Sequence, residues 1–143
     1  MTTQMTTLPE WPGRTIAVLA TVDDAPHTIP VSAPVRAGDH TILLSLHRTR
    51  DSLARLRKRP EVALLILAEG DVALTARGRA RVAEEPMADA PDYAVVEITV
   101  TEVDDHRQAA FTVEGGASRR WVDTDEQRAL GARVATRRRR SGS

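Results

Sequence analysis

Residues 72–82 read VALTARGRARV, and they carry the clearest period of two in the chain. Small or aliphatic side chains occupy every second position. The apolar set is Val72, Leu74, Ala76, Gly78, Ala80 and Val82, and the polar set is Thr75, Arg77, Arg79 and Arg81. Because successive side chains of a strand point to opposite faces, this stretch is predicted to be a long strand with one face in the core and the other in water.

Five further strands are predicted around this one, joined mostly by short turns. They cover residues 15–22, 27–35, 41–46, 61–68 and 93–103. The first is apolar on both faces, so it is expected to be mostly buried. The second contains Pro30 and Pro34, which cannot donate ladder hydrogen bonds, so it is expected at an edge of the sheet.

One helix is predicted before Pro60, where Leu53 and Leu56 lie on the same side and the proline stops the helix. Six strands with one helix inserted after the third indicate a closed or partly open antiparallel barrel. A second helix is expected near the C-terminus, over about residues 125–137.

The chain of 143 residues is expected to form one domain, because its length fits a single core. Its ends are more polar than the predicted strands. The predicted organisation is a flexible N-terminal lead-in at 1–13, a barrel at 14–106, a C-terminal extension with a helix at 107–137 and a disordered basic tail at 138–143.

Twenty Lys and Arg residues balance twenty Asp and Glu residues, so no overall charge points to nucleic acid or to a membrane. Four arginines at 137–140 have no aromatic neighbours and indicate a solubilising tail. The lack of cysteine and of an apolar leader favours a reducing, cytoplasmic location. His40, His47 and His106 show no metal-ligand spacing and no Ser-His-Asp set is recognisable, so no catalytic or metal-binding residue is predicted.

Several short segments follow one another in an order that resembles a known family. They are LATV at 19–22, PHTIPV at 26–31, LSL at 44–46, RPEVAL at 59–64 and TARGRA at 75–80, with Arg50 and the predicted helix before the fourth. Over roughly residues 14–104 the chain resembles the pyridoxamine 5'-phosphate oxidase-like FMN-binding split β-barrels. The resemblance implies a mainly β, six-stranded antiparallel Greek-key barrel that forms a homodimer, with two flavins at the subunit interface.

The resemblance also implies roles for individual residues. The backbone of residues 29–31 would face the isoalloxazine ring, Ser45 would lie near the ribityl chain or the phosphate, and Arg50 would bind the phosphate. Arg48 would add a second phosphate contact, and His27 would either stack near the flavin or stand simply at a strand edge. The predicted cofactor-binding set is His27, Ile29, Pro30, Val31, Ser32, Ser45, Arg48, Thr49, Arg50, Ser52 and Leu53.

The start of the predicted helix suits a phosphate for a physical reason. A helix N-terminus offers unpaired N–H groups and a positive dipole end, and Arg50 with the amides near Ser52 and Leu53 would supply charge and donors. The chain departs from the family at Ser52, where many relatives carry Lys, at Asp51, a carboxylate beside the phosphate, and at Ile29, where some carry Arg. Alternatively, the arginines around this helix form only its solvated side.

We expect an FMN-binding oxidoreductase-like protein that transfers a hydride or electrons at the flavin to or from a small-molecule substrate. The sequence leaves open a deazaflavin-dependent reductase, a non-catalytic flavin carrier or sensor, and a dimeric interaction module without a cofactor. Haem is a further alternative cofactor. The arginines at 77–81 are expected to be a wetted barrel face, although in some relatives a basic surface receives the acidic tail of a deazaflavin. Trp121 would cover the partner's pocket or pack on the C-terminal helix.

Overall fold

The computed structural model describes residues 3–5, 7–88 and 90–123 of the chain. These residues form eight strands in one sheet and one helix. In chain order the elements are β1 (Thr3–Met5), β2 (Ile16–Val22), β3 (Pro26–Ser32), β4 (Val35–Gly38), β5 (Thr41–His47), α1 (Asp51–Lys58), β6 (Glu61–Ala68), β7 (Val72–Glu84) and β8 (Tyr93–Asp105).

All the strand pairs are antiparallel, and the sheet order is β3-β2-β6-β7-β8-β5-β4. Strand β1 pairs with the end of β8 that β5 leaves free. Strand β3, at one end of this order, also contacts β5 near the other end, so the sheet curves back around its core. This confirms the predicted mainly β barrel with an inserted helix. The structure adds two strands to the predicted six, β1 and β4.

Strand β7 alternates as its sequence predicts. Ala76 and Ala80 are buried, whereas the arginines between and after them are exposed. Gly78 lies at a bulge in the pairing of β7 with β8. A Cβ at this position would overlap the carbonyl oxygen of Thr99 on β8. The two strands therefore approach this closely only because the residue is glycine.

The prediction of one strand over residues 27–35 is wrong, because the chain divides it into β3 and β4. Ala33 has a φ of 50°, in the left-handed region, and Pro34 fixes φ and has no N–H. These two residues carry the chain from the strand beside β2 to the strand beside β5. The expectation of an edge is confirmed, because β3 and β4 stand at the two ends of the sheet order.

Helix α1 packs against β2 and β7. As predicted, Leu53 and Leu56 are buried in the core on the same side of the helix. The helix ends before Pro60, and its position is fixed by a hydrogen bond from Arg55 Nε to Thr21 Oγ1 at 3.0 Å. Thr21 is itself buried, so this bond satisfies a hydroxyl inside the barrel.

The ends of the chain are only partly described. Within the predicted lead-in, Leu8 is buried and Trp11 Nε1 donates to the carbonyl oxygen of Pro34 at 2.8 Å, so this segment packs over the junction of β3 and β4. The predicted C-terminal helix at 125–137 and the tail at 138–143 lie outside the described residues.

In the described part of the chain, α1 is too short to cross a membrane, and no longer apolar helix occurs there.

Candidate functional site

The first turn of α1 presents unpaired donors. Arg50 is the N-cap residue, and no side chain caps the helix. The amide of Leu53 donates to the carbonyl oxygen of Arg50 at 3.1 Å, whereas the amides of Asp51 and Ser52 donate to no described residue. The guanidinium of Arg50 is exposed and has no hydrogen bond or ion pair within the described chain. Two N–H groups and one cation are therefore available to an anion at the positive end of the helix dipole.

Arg48, the second predicted phosphate contact, is already held by protein groups. Its Nε donates to Glu85 at 3.3 Å, and its Nη1 donates to the carbonyl oxygen of Pro91 at 3.3 Å. Arg57 of α1 forms an ion pair with the other oxygen of Glu85. The hydrogen bond from Arg57, reinforced by the one from Arg48, lowers the pKa of Glu85 below its ordinary value. An anionic ligand would compete with Glu85 for Arg48.

The other predicted residues near α1 offer little to a ligand through their side chains. Ser52 and Leu53 are buried, and the Ser52 hydroxyl accepts a hydrogen bond from Arg55 at 3.4 Å. Thr49 is exposed, and its hydroxyl lies 2.7 Å from Nδ1 of His47. Ser52 therefore contributes its amide, and Thr49 is the one further side chain of this set at the surface.

The five predicted residues of β3 point alternately to two sides. Val31 is buried in the core, and Ile29 packs against the core. Pro30 is exposed and shares the outward side with Ser32, while His27 is exposed near the start of the strand. The side chains of Ile29 and Val31 therefore serve the barrel, and only their backbone, at the edge of the sheet, can face a ligand.

A cavity of about 770 Å³ lies between strands β3, β4, β5 and β6 and the segment that follows β8. Its walls include Ser32 and Ser45 from the predicted set, and also residues 114–119 and Trp121. This volume is typical of small-molecule sites. The structure thus brings Ser32 and Ser45 together in one cavity, whereas the predicted residues around the start of α1 do not line it.

Two residues that line this cavity each carry a buried polar atom without a partner. Ser45 Oγ and Arg119 Nε have no hydrogen-bond partner among the described residues. A buried polar group without a partner costs about 1–3 kcal/mol, so such groups usually meet a water or a ligand.

The exposed arginines of β7 are neutralised by carboxylates on the neighbouring strands. This face of the barrel is therefore exposed to solvent and its charges are balanced, which disfavours binding of the acidic tail of a deazaflavin there. The pairs are Arg77 with Glu102 and Asp104, Arg79 with Glu61, and Arg81 with Glu97.

Comparison with known proteins agrees with this architecture. Residues 4–107, well over half of the chain, match the sequence profile of pyridoxamine 5'-phosphate oxidase. The chain belongs to the pyridoxamine 5'-phosphate oxidase family. No curated protein matches it in sequence.

Solved structures similar to this pyridoxamine 5'-phosphate oxidase family member share its fold at low sequence identity. A candidate pyridoxamine 5'-phosphate oxidase from Listeria innocua is 18% identical, with a TM-score of 0.52 over 62% of this chain and 85% of that one. An FAD-binding protein from Mesorhizobium loti is 14% identical, with a TM-score of 0.52 over 63% and 83%. An F420 reductase is 17% identical, with a TM-score of 0.52 over 63% and 89%.

Nothing in the local sequence marks Glu85 as a residue of this site. Its partners Arg57 and Arg48 are 28 and 37 positions away in the chain, so no local pattern could reveal the contact. Within the residues that the structure describes, no group of His, Asp and Glu side chains has the arrangement of a metal site.

Proposed function

We propose that this family member binds FMN at an interface between two copies of the chain and transfers a hydride or electrons at the flavin. The observation that carries the proposal is the open N-terminus of α1, where Arg50 and two free amides would be available to a phosphate. A phosphate monoester is a dianion that can accept several hydrogen bonds, so it matches this combination of donors and charge.

The rest of the flavin would follow β5 away from the helix. Ser45 lies two residues before His47 on β5, about 7 Å away at the usual rise of a strand, so a flavin whose phosphate lies at Arg50 would extend its ribityl chain along β5 towards Ser45. Ser45 Oγ has no hydrogen-bond partner among the described residues, so a hydroxyl of the ribityl chain that reached it would satisfy it. The ring would then lie along the edge of β3, against Pro30 and the backbone of its neighbours.

Bound FMN would supply the redox chemistry, since no protein side chain of this site is a candidate electron carrier. The chain would bind and orient it. Arg50 and the amides of Asp51 and Ser52 would hold the phosphate, and Ser45 would donate to or accept from the ribityl chain. The segment ending at Trp121 would limit the access of water to the cavity.

The proposed dimer is supported by an apolar outer face on β2 and β6. Residues 15–22 were expected to be mostly buried, yet within one chain Val18 is 36% and Val22 is 41% exposed, while Ala17 and Leu19 of the same strand face the core. Leu67 of β6 is 40% exposed. Exposed aliphatic side chains grouped on one sheet face are typical of an interface with another protein surface.

Titration of the purified protein with FMN, followed by flavin fluorescence, tests the proposal. Arg50→Ala should weaken the affinity about tenfold or more, because it removes a charge-assisted contact. Arg59→Ala is the matched control, since Arg59 is exposed, carries the same charge and flanks the opposite end of α1. It should leave the affinity unchanged.

Equal FMN affinity in the Arg50→Ala protein and the wild type would remove the phosphate assignment. If a deazaflavin or haem bound and FMN did not, the proposed cofactor would be wrong. If none of the three bound, a dimeric interaction module without a cofactor would be favoured. Bleaching of the bound flavin by NADPH would distinguish an oxidoreductase from a carrier.

A further inference from the structure

The guanidinium of Arg119 is fixed in the wall of the cavity but is not satisfied. Its Nη1 donates to the carbonyl oxygen of Arg14 at 3.0 Å, and its Cζ lies 5.2 Å from the centroid of the Trp121 ring. These contacts hold the group in one orientation. Its Nε is buried and has no described partner. A guanidinium that lines a cavity and has no carboxylate partner favours an acceptor that carries negative charge.

The described carboxylates do not neutralise Arg119. Two acidic residues line the same cavity, Glu69 and Glu114. Glu69 forms an ion pair with Arg14, and Glu114 is exposed and forms no ion pair with a described residue. The positive charge of Arg119 is therefore not neutralised by a described carboxylate, while the unpaired carboxylate of Glu114 makes the cavity less favourable for a ligand with two or more negative charges.

The remaining walls near Arg119 are largely apolar. Val35, Leu67 and Ala68 line the cavity together with the ring of Trp121. An apolar body gains favourable free energy when it leaves water for such walls, and an indole face suits a flat ring. The walls and the cation together describe a ligand with one acidic group and an apolar, preferably aromatic, body.

We propose that this cavity binds an aromatic or similarly apolar monocarboxylic acid, whose carboxylate pairs with the guanidinium of Arg119. The acid would occupy the part of the cavity under residues 114–121. Ser45 would remain with the flavin, so the acid and the flavin would be bound together. Binding of the acid itself goes beyond the proposed function and does not require it, whereas its position beside the flavin rests on it.

Calorimetric titration of the full chain with benzoate and with benzamide tests the acid. The two probes have nearly the same shape, but only benzoate carries a charge. Benzoate should bind at least about tenfold more tightly than benzamide, as expected for a charge-assisted hydrogen bond. Inorganic phosphate should not bind in competition with benzoate.

Two variants locate the contact. Arg119→Gln should reduce the benzoate affinity about tenfold or more and leave that for benzamide unchanged, whereas Arg120→Gln, at the exposed neighbouring arginine, should change neither. Equal affinities for the two probes, competition by phosphate, or an unchanged benzoate affinity in Arg119→Gln would overturn the proposal. Quenching of Trp121 emission by benzoate, measured in Trp11→Phe, gives a second readout.

A final pair of titrations separates this proposal from the flavin proposal. Benzoate should bind both before and after saturation with FMN, so that the two ligands do not compete. Competition between them would overturn the separate acid site and leave FMN binding intact. Failure of FMN to bind, with benzoate binding unchanged, would overturn the proposed function and leave the acid site standing.

Discussion

The segment that closes the cavity crosses β6 at Gly116, and this crossing can be disturbed without touching the core. A Cβ at Gly116 would overlap the carbonyl oxygen of Leu67 and would lie 3.3 Å from its carbonyl carbon. Leu67 cannot yield easily, because it is paired with Ala73 of β7 and directly follows the residues of β6 that pair with β2. Gly116→Ala should therefore push the segment away from the barrel, together with Trp121.

The expected cost follows from what holds the segment in place. Before the crossing, Val113 and Asp71 exchange two hydrogen bonds, at 2.8 and 3.0 Å. After it, the described hydrogen bond is that from Arg119 to the carbonyl oxygen of Arg14. Losing the latter costs about 0.5–1.5 kcal/mol, and losing all three costs about 1.5–4.5 kcal/mol. The lower figure applies if the segment detaches only beyond Gly116, and it corresponds to a fall in Tm of a few degrees, on the order of 2–8 °C.

Acrylamide quenching of tryptophan emission measures the detachment, because Trp121 should gain solvent exposure while Trp11 stays hydrogen-bonded to Pro34. Gly115→Ala is the matched control, since its Cβ would meet no atom within 4 Å. Quenching should rise in Gly116→Ala and stay at the wild-type level in Gly115→Ala. Equal quenching in the two variants would refute the close crossing of Gly116 over β6.

Three further predictions concern the barrel, its acid stability and the proposed dimer. Gly78→Ala should destabilise the protein by about 1–3 kcal/mol or more in urea unfolding, because the new Cβ overlaps the backbone of β8. The hydrogen bonds from Arg107 lower the pKa of Asp105. The charged carboxylate therefore stabilises the fold above about pH 4, and this contribution is lost as the pH falls through the lowered pKa. Asp105→Asn should be less stable than the wild type at neutral pH, and the difference between their free energies of unfolding should shrink towards about pH 3. Val18→Lys should convert a dimer into a monomer in light scattering, whereas Val122→Lys, at a residue 96% exposed, should not, and equal masses would contradict the interface on β2.

The strands and the helix could be predicted because their signals are local. The period of two in β7 and the shared side of Leu53 and Leu56 in α1 each express which face meets the core. The division between β3 and β4 could not be predicted in the same way. Ala33 adopts a left-handed conformation that its side chain does not favour, and the pairing of the strands on both sides imposes it.

The candidate site shows the same limit. The helix was predictable from Leu53, Leu56 and Pro60, whereas the importance of Arg50 at its start was implied by the resemblance to the family. The capture of Arg48 by Glu85 depends on the end of β7 lying beside α1, which is set by the sheet order. The same is true of Arg119, whose contact with the carbonyl oxygen of Arg14 spans 105 positions. Sequence thus names candidate cations, and tertiary structure decides which of them are free.

The positive charge of Arg50 does not stabilise the helix that it precedes. It stands at the N-terminus of α1, where a positive charge opposes the helix dipole, whereas the basic residues of the last turn favour it. Asp51 follows it but forms no ion pair with it within the described chain. An anion in front of the first turn would interact favourably with Arg50 and with the free amides of Asp51 and Ser52 at once. The phosphate proposal therefore depends on Arg50, and not on Arg48, because the charge of Arg48 is already met by Glu85.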